Sequence, residues 1–421
     1  MLHINKIREN KESYINLLKL KNMDATELFD AVIAKDDERK ATQQKADELL
    51  FKGNQLAKQI GEMYKTGNAA EANVLKEESS SIKEESKLLQ TKQTELEKEI
   101  QNILVQIPNI PHPTVPAGKS DADNVTLKEV GTIPTLMEGA KPHWELTTDY
   151  SLIDFELGNK ITGAGFPVYT HHGAKLQRAL IAYFLDKNTA AGYTEYLPPH
   201  LVNEASGFGT GQLPDKEGQM YHATEDNLYL IPTAEVPVTN FFRDVIVKEF
   251  PIKCTAYTPC FRREAGSYGK EVRGLNRLHQ FDKVEIVQVQ HPEKSYETLD
   301  VMVKHVASIL DELELPYKIL QLCGGDLSFT AALTFDFEVY SAGQERWLEV
   351  SSVSNFESYQ ANRLKLRYKD ENGKTQLCHT LNGSALALPR IYAALIENNQ
   401  TAEGIKIPKA LQPYTGFDII K

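Results

Sequence analysis

Apolar residues spaced seven apart in the first hundred residues restrict the fold of this chain more than any other feature. They occur at Leu75, Ile82, Leu89, Leu96 and Ile103, joined by Ile100 and Ile107. This heptad spacing keeps one apolar seam along a helix. An earlier series has steps of three and four residues, at Ala46, Leu49, Gly53, Leu56, Ile60 and Met63. Because Gly67 and Asn68 lie between the two series and suit a chain reversal, we expect two long helices folded back on each other.

The seam of the second helix is polar at its alternate positions nearest the reversal, Ser79, Ser86 and Gln93. We therefore expect the tip of the hairpin to be held less tightly than its base. The periodicity fits a dimerising coiled coil or a structural stalk as well as a binding arm, and the mixed charge of the segment does not distinguish them.

A proline cluster ends the helical region. Pro108, Pro111, Pro113 and Pro116 cannot continue a helix and are typical of a stiff, extended linker. Beyond them, short apolar runs such as 227–238, 255–264 and 283–290 predict strands, and 174–188 and 294–313 predict helices. Because strands and helices do not alternate regularly, we expect an α+β fold with a mostly antiparallel sheet. The predicted domains are residues 1–108 and 109–421.

Composition excludes several classes of protein. With 421 residues, 41% hydrophobic and 25% charged, the chain can bury a full core and is not disordered. It has no run of about 20 apolar residues and no signal peptide, so we expect a cytoplasmic protein without a membrane partner. The cysteines, Cys254, Cys260, Cys323 and Cys378, form no CxxC pair, so we expect reduced thiols and no zinc site. The net charge of −11 gives no indication of a nucleic-acid partner.

Two short motifs indicate less than they first suggest. GFGTGQLP has Gln212 where a GxGxxG loop would have its third glycine, and no Lys-Ser/Thr follows, so we expect a flexible loop. His171 and His172 have no third ligand at helical spacing. We expect them to lead into the next helix rather than bind a metal.

The densest group of charged residues lies at 258–287. It contains Arg262, Arg263, Lys270, Arg273, Arg277, Lys283, Glu264, Glu271 and Glu285. Two apolar flanks joined by a polar loop predict an antiparallel hairpin, in which alternation would put Arg262 and Glu264 on one face. Guanidinium groups on a rigid strand suit phosphate oxygens. An exposed salt-bridged hairpin would explain the charges, but not the presence of Phe281 among them.

The stretch FRREAGSYGKEVRGLNRLHQFDKVE, residues 261–285, closely resembles motif 2 of the seryl-tRNA synthetases, a class II family. Further similarity lies in IPTAEVP (231–237), LEVSSVSN (348–355), IKIPKALQPY (405–414) and HTLNGSALALPRIYAALIEN (379–398), the last resembling motif 3. GYTEYLPPHLV, with Pro199, resembles motif 1, the dimer-forming segment. The resemblance covers essentially the whole chain, and class I signatures and a P-loop are absent.

This resemblance implies a six- or seven-stranded antiparallel sheet flanked by helices, preceded by a tRNA-binding helical arm. It implies serine–tRNA ligase activity of the bacterial type, in which serine and ATP give seryl-adenylate and diphosphate, and the seryl group passes to the 3' end of tRNA(Ser). Use of tRNA(Sec) is left open. Since the serine carboxylate is itself the nucleophile, the protein must align it and neutralise charge. Mg²⁺, held by Glu349 and Ser352, would accompany ATP.

The resemblance also implies an ATP site. Its residues would be Arg262, Arg263, Glu264, Phe281, Glu349, Val350, Ser351, Ser352 and Arg390. As the catalytic residues, Arg262 would bridge the serine carboxylate and the α-phosphate, and Arg390 would hold the γ-phosphate. Glu264 and Phe281 would bind adenine, Phe281 by stacking.

The implied serine site comprises Thr233, Ala234, Glu235, Arg262, Glu285 and Ser384. The segment 233–235 would lie near the amino group, and Glu285 with Ser384 near the hydroxyl. Because alanine would leave a buried carboxylate unpaired, such a site can reject it by roughly 10⁴-fold. The alternative for Glu285 is an ion pair with Arg277, eight residues away.

Motif 3 departs from the family pattern at Ala385 and Pro389, where glycines are common. Because proline suits only the first turn of a helix, the helix should begin near Leu388. Arg390 would then lie in the opening turn, where free amides and the helix dipole favour an anion. We expect Ala385 to narrow the pocket near Ser384 slightly.

Other function classes fit parts of the sequence. A non-catalytic RNA-binding paralogue conflicts with the intact Arg262, Glu349 and Arg390. An enzyme that charges a carrier protein with serine would not need the full-length arm, and a structural coiled-coil protein would leave residues 120–421 unexplained.

We also expect a homodimer. Its interface would contain the motif 1 segment and the apolar stripe of the preceding helix, Leu176, Leu180, Tyr183 and Phe184. The alternative is that this stripe packs on the chain's own sheet.

Overall fold

A computed structural model describes residues 1–215, 217–264 and 273–421. These residues form two compact units. One unit consists of Leu2–Lys19 and Met23–Pro108, and the other of Met1, Leu20–Asn22 and Asn109–Lys421. In the described ranges, no helix combines the length and the hydrophobicity that crossing a membrane would require.

The first unit contains the predicted hairpin. Its helices are α1 (Ile4–Leu18), α2 (Thr26–Lys65) and α3 (Ala69–Leu104). The chain reverses between α2 and α3, where Gly67 has a φ of 86° that suits glycine. The predicted seam is buried at Ala46, Leu56, Ile82, Leu96 and Ile100. Interhelical ion pairs flank the seam, so the heptad interpretation is confirmed.

The second unit is built on an eight-stranded sheet with the order β1-β11-β12-β13-β16-β10-β9-β4. Its strands are β1 (Val125–Val130), β4 (Thr194–Tyr196), β9 (Ile252–Phe261), β10 (Gln280–Gln290), β11 (Tyr317–Gln321), β12 (Leu333–Ser341), β13 (Arg346–Asn355) and β16 (His379–Ala387). Neighbouring strands are antiparallel, except for the edge pair β4 and β9. The α+β class is therefore confirmed. The sheet has at least one strand more than expected, because the short strands β1 and β4 extend its edges.

Short strands and helices surround this sheet. The strands are β2 (Ile153–Asp154), β3 (Val168–Tyr169), β5 (Leu201–Asn203), β6 (His222–Ala223), β7 (Leu228–Leu230), β8 (Ile246–Val247), β14 (Arg367–Lys369), β15 (Thr375–Leu377), β17 (Gln400–Thr401), β18 (Gly404–Lys406) and β19 (Ile419–Ile420). The helices are α4 (His143–Asp149), α5 (Phe155–Ile161), α6 (His171–Ala190), α7 (Glu204–Thr210), α8 (Glu235–Asn240), α9 (Ser295–Glu312), α10 (Tyr359–Leu364), α11 (Leu388–Asn398) and α12 (Gln412–Thr415).

The apolar stripe of α6 lies in the core of this unit. Leu176, Leu180, Tyr183 and Phe184 are at most 3% exposed and pack in the cluster that includes Ile309. The expectation that this stripe forms a dimer interface is therefore wrong, and the stripe packs within its own chain. The four cysteines are buried and unpaired, as expected for thiols.

Two predicted loop or strand segments are helical. The first half of the glycine-containing segment 207–214, predicted as a flexible loop, lies in α7, in which a Cβ at Gly209 would lie 2.5 Å from Leu364 Cδ2. Close packing against α10 therefore orders this segment. The second half of the predicted strand 227–238 forms α8, and its Pro237 is tolerated because it lies in the first turn.

Candidate active site

Three central strands place the predicted serine residues side by side. Antiparallel register puts Glu285 of β10 opposite Ala256 of β9 on one side and opposite Ser384 of β16 on the other. Directly paired residues point to the same face of a sheet. Glu285 and Ser384 therefore share one face, and both are buried.

The Glu285 carboxylate has partners within the pocket. Lys283 Nζ lies 2.7 Å from Glu285 Oε2, and the Thr233 hydroxyl donates to the same oxygen at 3.4 Å. Arg277 instead pairs with Glu264, at 3.2 Å between Nη1 and Oε2. The alternative in which Glu285 is the partner of Arg277 is therefore wrong.

Glu235 brings a second carboxylate to this pocket from the start of α8. Gln360 Nε2 donates to its Oε1 at 2.6 Å. Burial and the neighbouring Glu285 raise the pKa of Glu235 to about 7. Two carboxylates beside one lysine leave the pocket with an unbalanced negative charge when both are ionised, which favours a small cationic ligand.

Arg262 lies just beyond the end of β9 and faces the same region. Its Nε donates to the carbonyl of Pro232 at 3.3 Å, and its guanidinium lies 5.2 Å from the centre of the Phe281 ring. It is therefore tied to the segment that precedes Thr233. Strand alternation does not extend to Glu264, which has a φ of 47°, because β9 ends at Phe261.

Arg263 turns away from this group. It is exposed, its Nε donates to the carbonyl of Met220 at 3.1 Å, and its guanidinium lies 5.0 Å from the Tyr221 ring centre. The motif 2 residues Lys270 and Glu271 fall in 265–272, outside the described residues.

Arg390 projects from the first turn of α11. The helix begins at Leu388 with Pro389 in its first turn, which confirms the predicted start. Arg390 Nε donates to the Asn276 carbonyl at 3.1 Å, and its Nη1 donates to the Glu349 carbonyl at 2.9 Å. The Ala385 side chain packs in the apolar core, so the expectation that it narrows the pocket is wrong.

Oxygen groups lie near Arg390 on the adjacent strands β12 and β13. Glu349 Oε1 and Ser352 Oγ are 3.5 Å apart. Asp336, directly opposite Ser352, is only 9% exposed, and its Oδ1 has no hydrogen-bond partner. Burial and the neighbouring Glu349 raise the pKa of Asp336. In the described ranges, no three His, Cys, Asp or Glu side chains cluster to hold a metal ion, and the oxygen-only set at Glu349 suits a hard cation.

Val350 and Ser351 lie in β13 with their side chains buried. They are 1% and 2% exposed, and the Ser351 hydroxyl donates to the Ser384 carbonyl at 2.5 Å. Their side chains are therefore not available to contact a nucleotide.

Sequence patterns do not identify every residue of this site. Lys283 is one of several charges in its stretch, and its spacing of two from Glu285 on a strand is the signal that could identify it. Asn276, Gln360 and Asp336 make their contacts with residues distant in sequence, and no local pattern marks them.

Comparison with known proteins agrees with these features. Residues 1–111 match the model of the seryl-tRNA synthetase N-terminal domain, and 219–399 match the class II tRNA synthetase core domain (G, H, P, S and T). A serine–tRNA ligase of Salinibacter ruber is 47% identical over 99% of this chain and 98% of that protein. One from Neisseria meningitidis serogroup B is 45% identical over 99% and 98% of the two chains.

Solved structures are also similar to this chain, over its whole length or over part of it. A seryl-tRNA synthetase from Pyrococcus horikoshii, complexed with ATP, has a TM-score of 0.91 and 33% identity, with 100% of this chain and 99% of that chain covered. A prolyl-tRNA synthetase from Giardia lamblia, at 16% identity and a TM-score of 0.56 over 65% of this chain and 57% of that one, shares the fold.

Proposed function

The chain belongs to the seryl-tRNA synthetase family, and from this premise we propose which of its residues activate serine and bind ATP. The protein is a serine–tRNA ligase, an ATP-using class II enzyme. The buried Lys283–Glu285–Thr233 group beside Arg262 is the observation that carries the residue assignments, because it supplies hydroxyl and ammonium recognition next to a guanidinium.

Serine binds with its ammonium group near Glu235 and the segment 233–235, and its hydroxyl between Glu285 and Ser384. Lys283 holds one oxygen of Glu285, which leaves the other able to accept from the hydroxyl. An amino acid without a hydroxyl would leave that buried acceptor unpaired, which is the basis of discrimination against alanine.

The two arginines then act on ATP. Arg262 neutralises charge that develops at the α-phosphate as the serine carboxylate attacks it and diphosphate leaves. Arg390 holds the γ-phosphate, and Glu264 and Phe281 hold the adenine. Since the carboxylate is the nucleophile, positioning and charge are sufficient and no covalent enzyme intermediate forms.

Glu349 and Ser352 would hold Mg²⁺ with ATP, and their oxygen atoms, together with the unpartnered Oδ1 of Asp336 on the same face, support this assignment. The ion would screen phosphate charge.

The helical hairpin is the proposed tRNA(Ser)-binding arm, and residues 1–108 and 109–421 are the proposed arm and catalytic domains. The homodimer remains part of the proposal, with a revised interface. The motif 1 segment contains edge strand β4, and its Leu197 is 82% exposed. Tyr196 and Phe241, 39% and 40% exposed, pack ring to ring at 5.1 Å beside it.

ATP–diphosphate exchange with a panel of amino acids, followed by charging of purified tRNA(Ser) and tRNA(Sec), tests this function. We expect exchange with serine and transfer to tRNA(Ser), and exchange with alanine or threonine lower by orders of magnitude. Exchange with equal efficiency for alanine would contradict the assignment of Glu285. The two tRNAs decide the open question of tRNA(Sec).

A further inference from the structure

A fully buried histidine and glutamate lie behind the ATP-binding arginine. His143, at the start of α4, and Glu397, near the end of α11, both have side chains that are 0% exposed. His143 Nδ1 lies 2.7 Å from Glu397 Oε1, and the His143 backbone amide donates to the same oxygen at 2.8 Å. Burying two polar side chains this completely costs free energy unless each of them makes hydrogen bonds.

The other ring nitrogen fixes the state of the histidine. The Leu275 backbone amide donates to His143 Nε2 at 2.9 Å, so Nε2 accepts and carries no proton. The ring proton is therefore on Nδ1 and points to Glu397. One imidazole thus connects Glu397 of α11 to the backbone of Leu275 in motif 2.

That segment, residues 273–277, reaches the nucleotide residues on both sides. The Asn276 carbonyl accepts from Arg390 Nε at 3.1 Å, and Arg277 pairs with Glu264. The Asn276 side chain donates to Gln344 Oε1 at 2.9 Å, and Gln344 Nε2 is 3.2 Å from Glu397 Oε1. One network of hydrogen bonds therefore holds this segment at two consecutive residues, Leu275 and Asn276.

The fit around the histidine leaves little freedom. Gly274 has a φ of 65°, and a Cβ added there would lie 2.2 Å from His143 Nε2. Arg390 and Glu397 are seven residues apart on α11, about two turns, and so lie on the same side of the helix. The same face of α11 therefore contacts Asn276 through Arg390 and His143 through Glu397.

We propose that His143 is a positioning residue for ATP binding. Through the Leu275 amide it holds residues 273–277 in the conformation that presents the Asn276 carbonyl to Arg390 and Arg277 to Glu264. The proposal builds on the proposed function, since it takes Arg390 and Glu264 as nucleotide-binding residues. It adds the requirement that the side chain at position 143 accepts a hydrogen bond where Nε2 lies and donates one where Nδ1 lies.

Two substitutions separate these requirements. In His143→Gln, Oε1 can replace Nε2 as the acceptor for Leu275, whereas in His143→Asn, Nδ2 can replace only the donor to Glu397. In serine-dependent ATP–diphosphate exchange, we expect His143→Asn to raise KM for ATP about tenfold, the size of one lost buried hydrogen bond. KM for serine should change less than about twofold, and His143→Gln should recover most of the ATP effect.

His379→Gln is the matched control, because His379 is a part-buried histidine that bonds Ser295 at the opposite end of β16 from Ser384. It should leave KM for ATP at the wild-type value. If His143→Asn lowers the melting temperature but leaves KM for ATP unchanged, the histidine is structural only and the proposal fails. Equal rises in both KM values would also overturn it.

Gln344→Ala keeps the test decisive if His143→Asn does not fold. Gln344 is only partly buried, and its loss removes the acceptor of the Asn276 side chain. The same selective rise in KM for ATP is expected, and an unchanged value contradicts the proposal. Failure of the proposed function would appear differently, as absence of serine-dependent exchange in the wild-type protein.

Discussion

At the scale of single residues, the contacts of Arg262 fit the catalytic role proposed for it. Its guanidinium lies over the Phe281 ring, and its Nε donates to the Pro232 carbonyl next to the serine segment. These contacts involve Nε and the face of the guanidinium and restrict the orientation of the side chain, so the Nη groups are the ones that would bind the substrates. A planar fork held in this way suits bidentate binding of carboxylate and phosphate oxygens.

Replacing Arg262 tests this role. Arg262→Ala should reduce ATP–diphosphate exchange by about a hundredfold or more, because it removes a charge-assisted contact to the reacting phosphate. Arg262→Lys should recover only part of the loss, since a point charge cannot reproduce the fork. Arg263→Ala, at a neighbouring arginine that turns to Met220, should have a much smaller effect. Near wild-type exchange in Arg262→Ala would refute the motif 2 assignment.

As a proposed ligand of the serine ammonium group, Glu235 is expected to make serine binding depend on pH. Because burial and Glu285 raise its pKa to about 7, the carboxyl is largely protonated at pH 6 and ionised at pH 8. An ammonium group binds the ionised form, so KM for serine should fall as pH rises through about 7. Glu235→Gln should have a higher KM for serine and a flatter pH profile. A wild-type profile that is flat between pH 6 and 8 would show that this carboxyl does not titrate with binding.

The Glu235 carboxyl also makes the free energy of unfolding depend on pH. This stability falls as pH rises, whereas serine binding is expected to strengthen. The pKa of this carboxyl is above the ordinary value of 4.5, so the folded protein holds a proton that the unfolded chain releases between about pH 4.5 and 7. The stabilising contribution is therefore complete below about pH 4.5 and declines as pH rises. Without serine, the melting temperature of the wild type should fall relative to Glu235→Gln as pH increases from 5 to 7.

At the scale of elements, α2 and α3 form a hairpin that can be shortened without altering its base. The ion pairs Lys45–Glu85 and Lys52–Glu78 show that residues whose numbers sum to about 130 face each other. Removing residues 50–81 and closing the helices with a Gly-Asn turn therefore keeps the remaining seam in register.

This shortened variant should retain serine-dependent exchange within about twofold, because every proposed site residue lies in the other unit. Charging of tRNA(Ser) should fall by at least about tenfold, since phosphate contacts contribute much of RNA affinity. Charging and exchange are measured on the same preparation, with the melting temperature as a check on folding. An equal loss in both reactions would contradict the arm hypothesis.

At the scale of the whole molecule, β4 is an edge strand of the sheet, and it is the surface at which we propose that a second copy of the chain binds. The α6 stripe is used in the chain's own core, which leaves Leu197, 82% exposed, as the prominent apolar side chain of the motif 1 segment. An unpaired edge next to apolar side chains is a template for association, and pairing with a second copy would cover it.

Sedimentation at micromolar concentration should therefore show a species of twice the 47.3 kDa chain mass. Leu197→Asp should shift the population toward the single chain, because it places a charge in the apolar contact. Leu88→Asp is a matched control on α3, where Leu88 is 71% exposed, and should leave the dimer intact. A wild type that sediments only as one chain would refute the dimer.

Local periodicity and motif chemistry were enough to predict the hairpin, its reversal at Gly67, the break at the prolines, the antiparallel hairpin around motif 2 and the start of α11 at Leu388. These features depend on neighbours within a few residues, so the sequence alone determined them. The resemblance to one family added the candidate site, whose residues the structure places on adjacent strands and helix ends.

Only the tertiary structure decided what covers each face and which buried polar groups meet. The α6 stripe could pack on a partner or on its own core, and periodicity cannot distinguish the two. His143 and Glu397 are 254 residues apart, and Thr233 and Glu285 are 52 apart. Such pairs depend on which elements become neighbours when the core forms. A sequence pattern reports which side of an element is apolar or charged, but the partner on the other side is set by the packing of the whole unit.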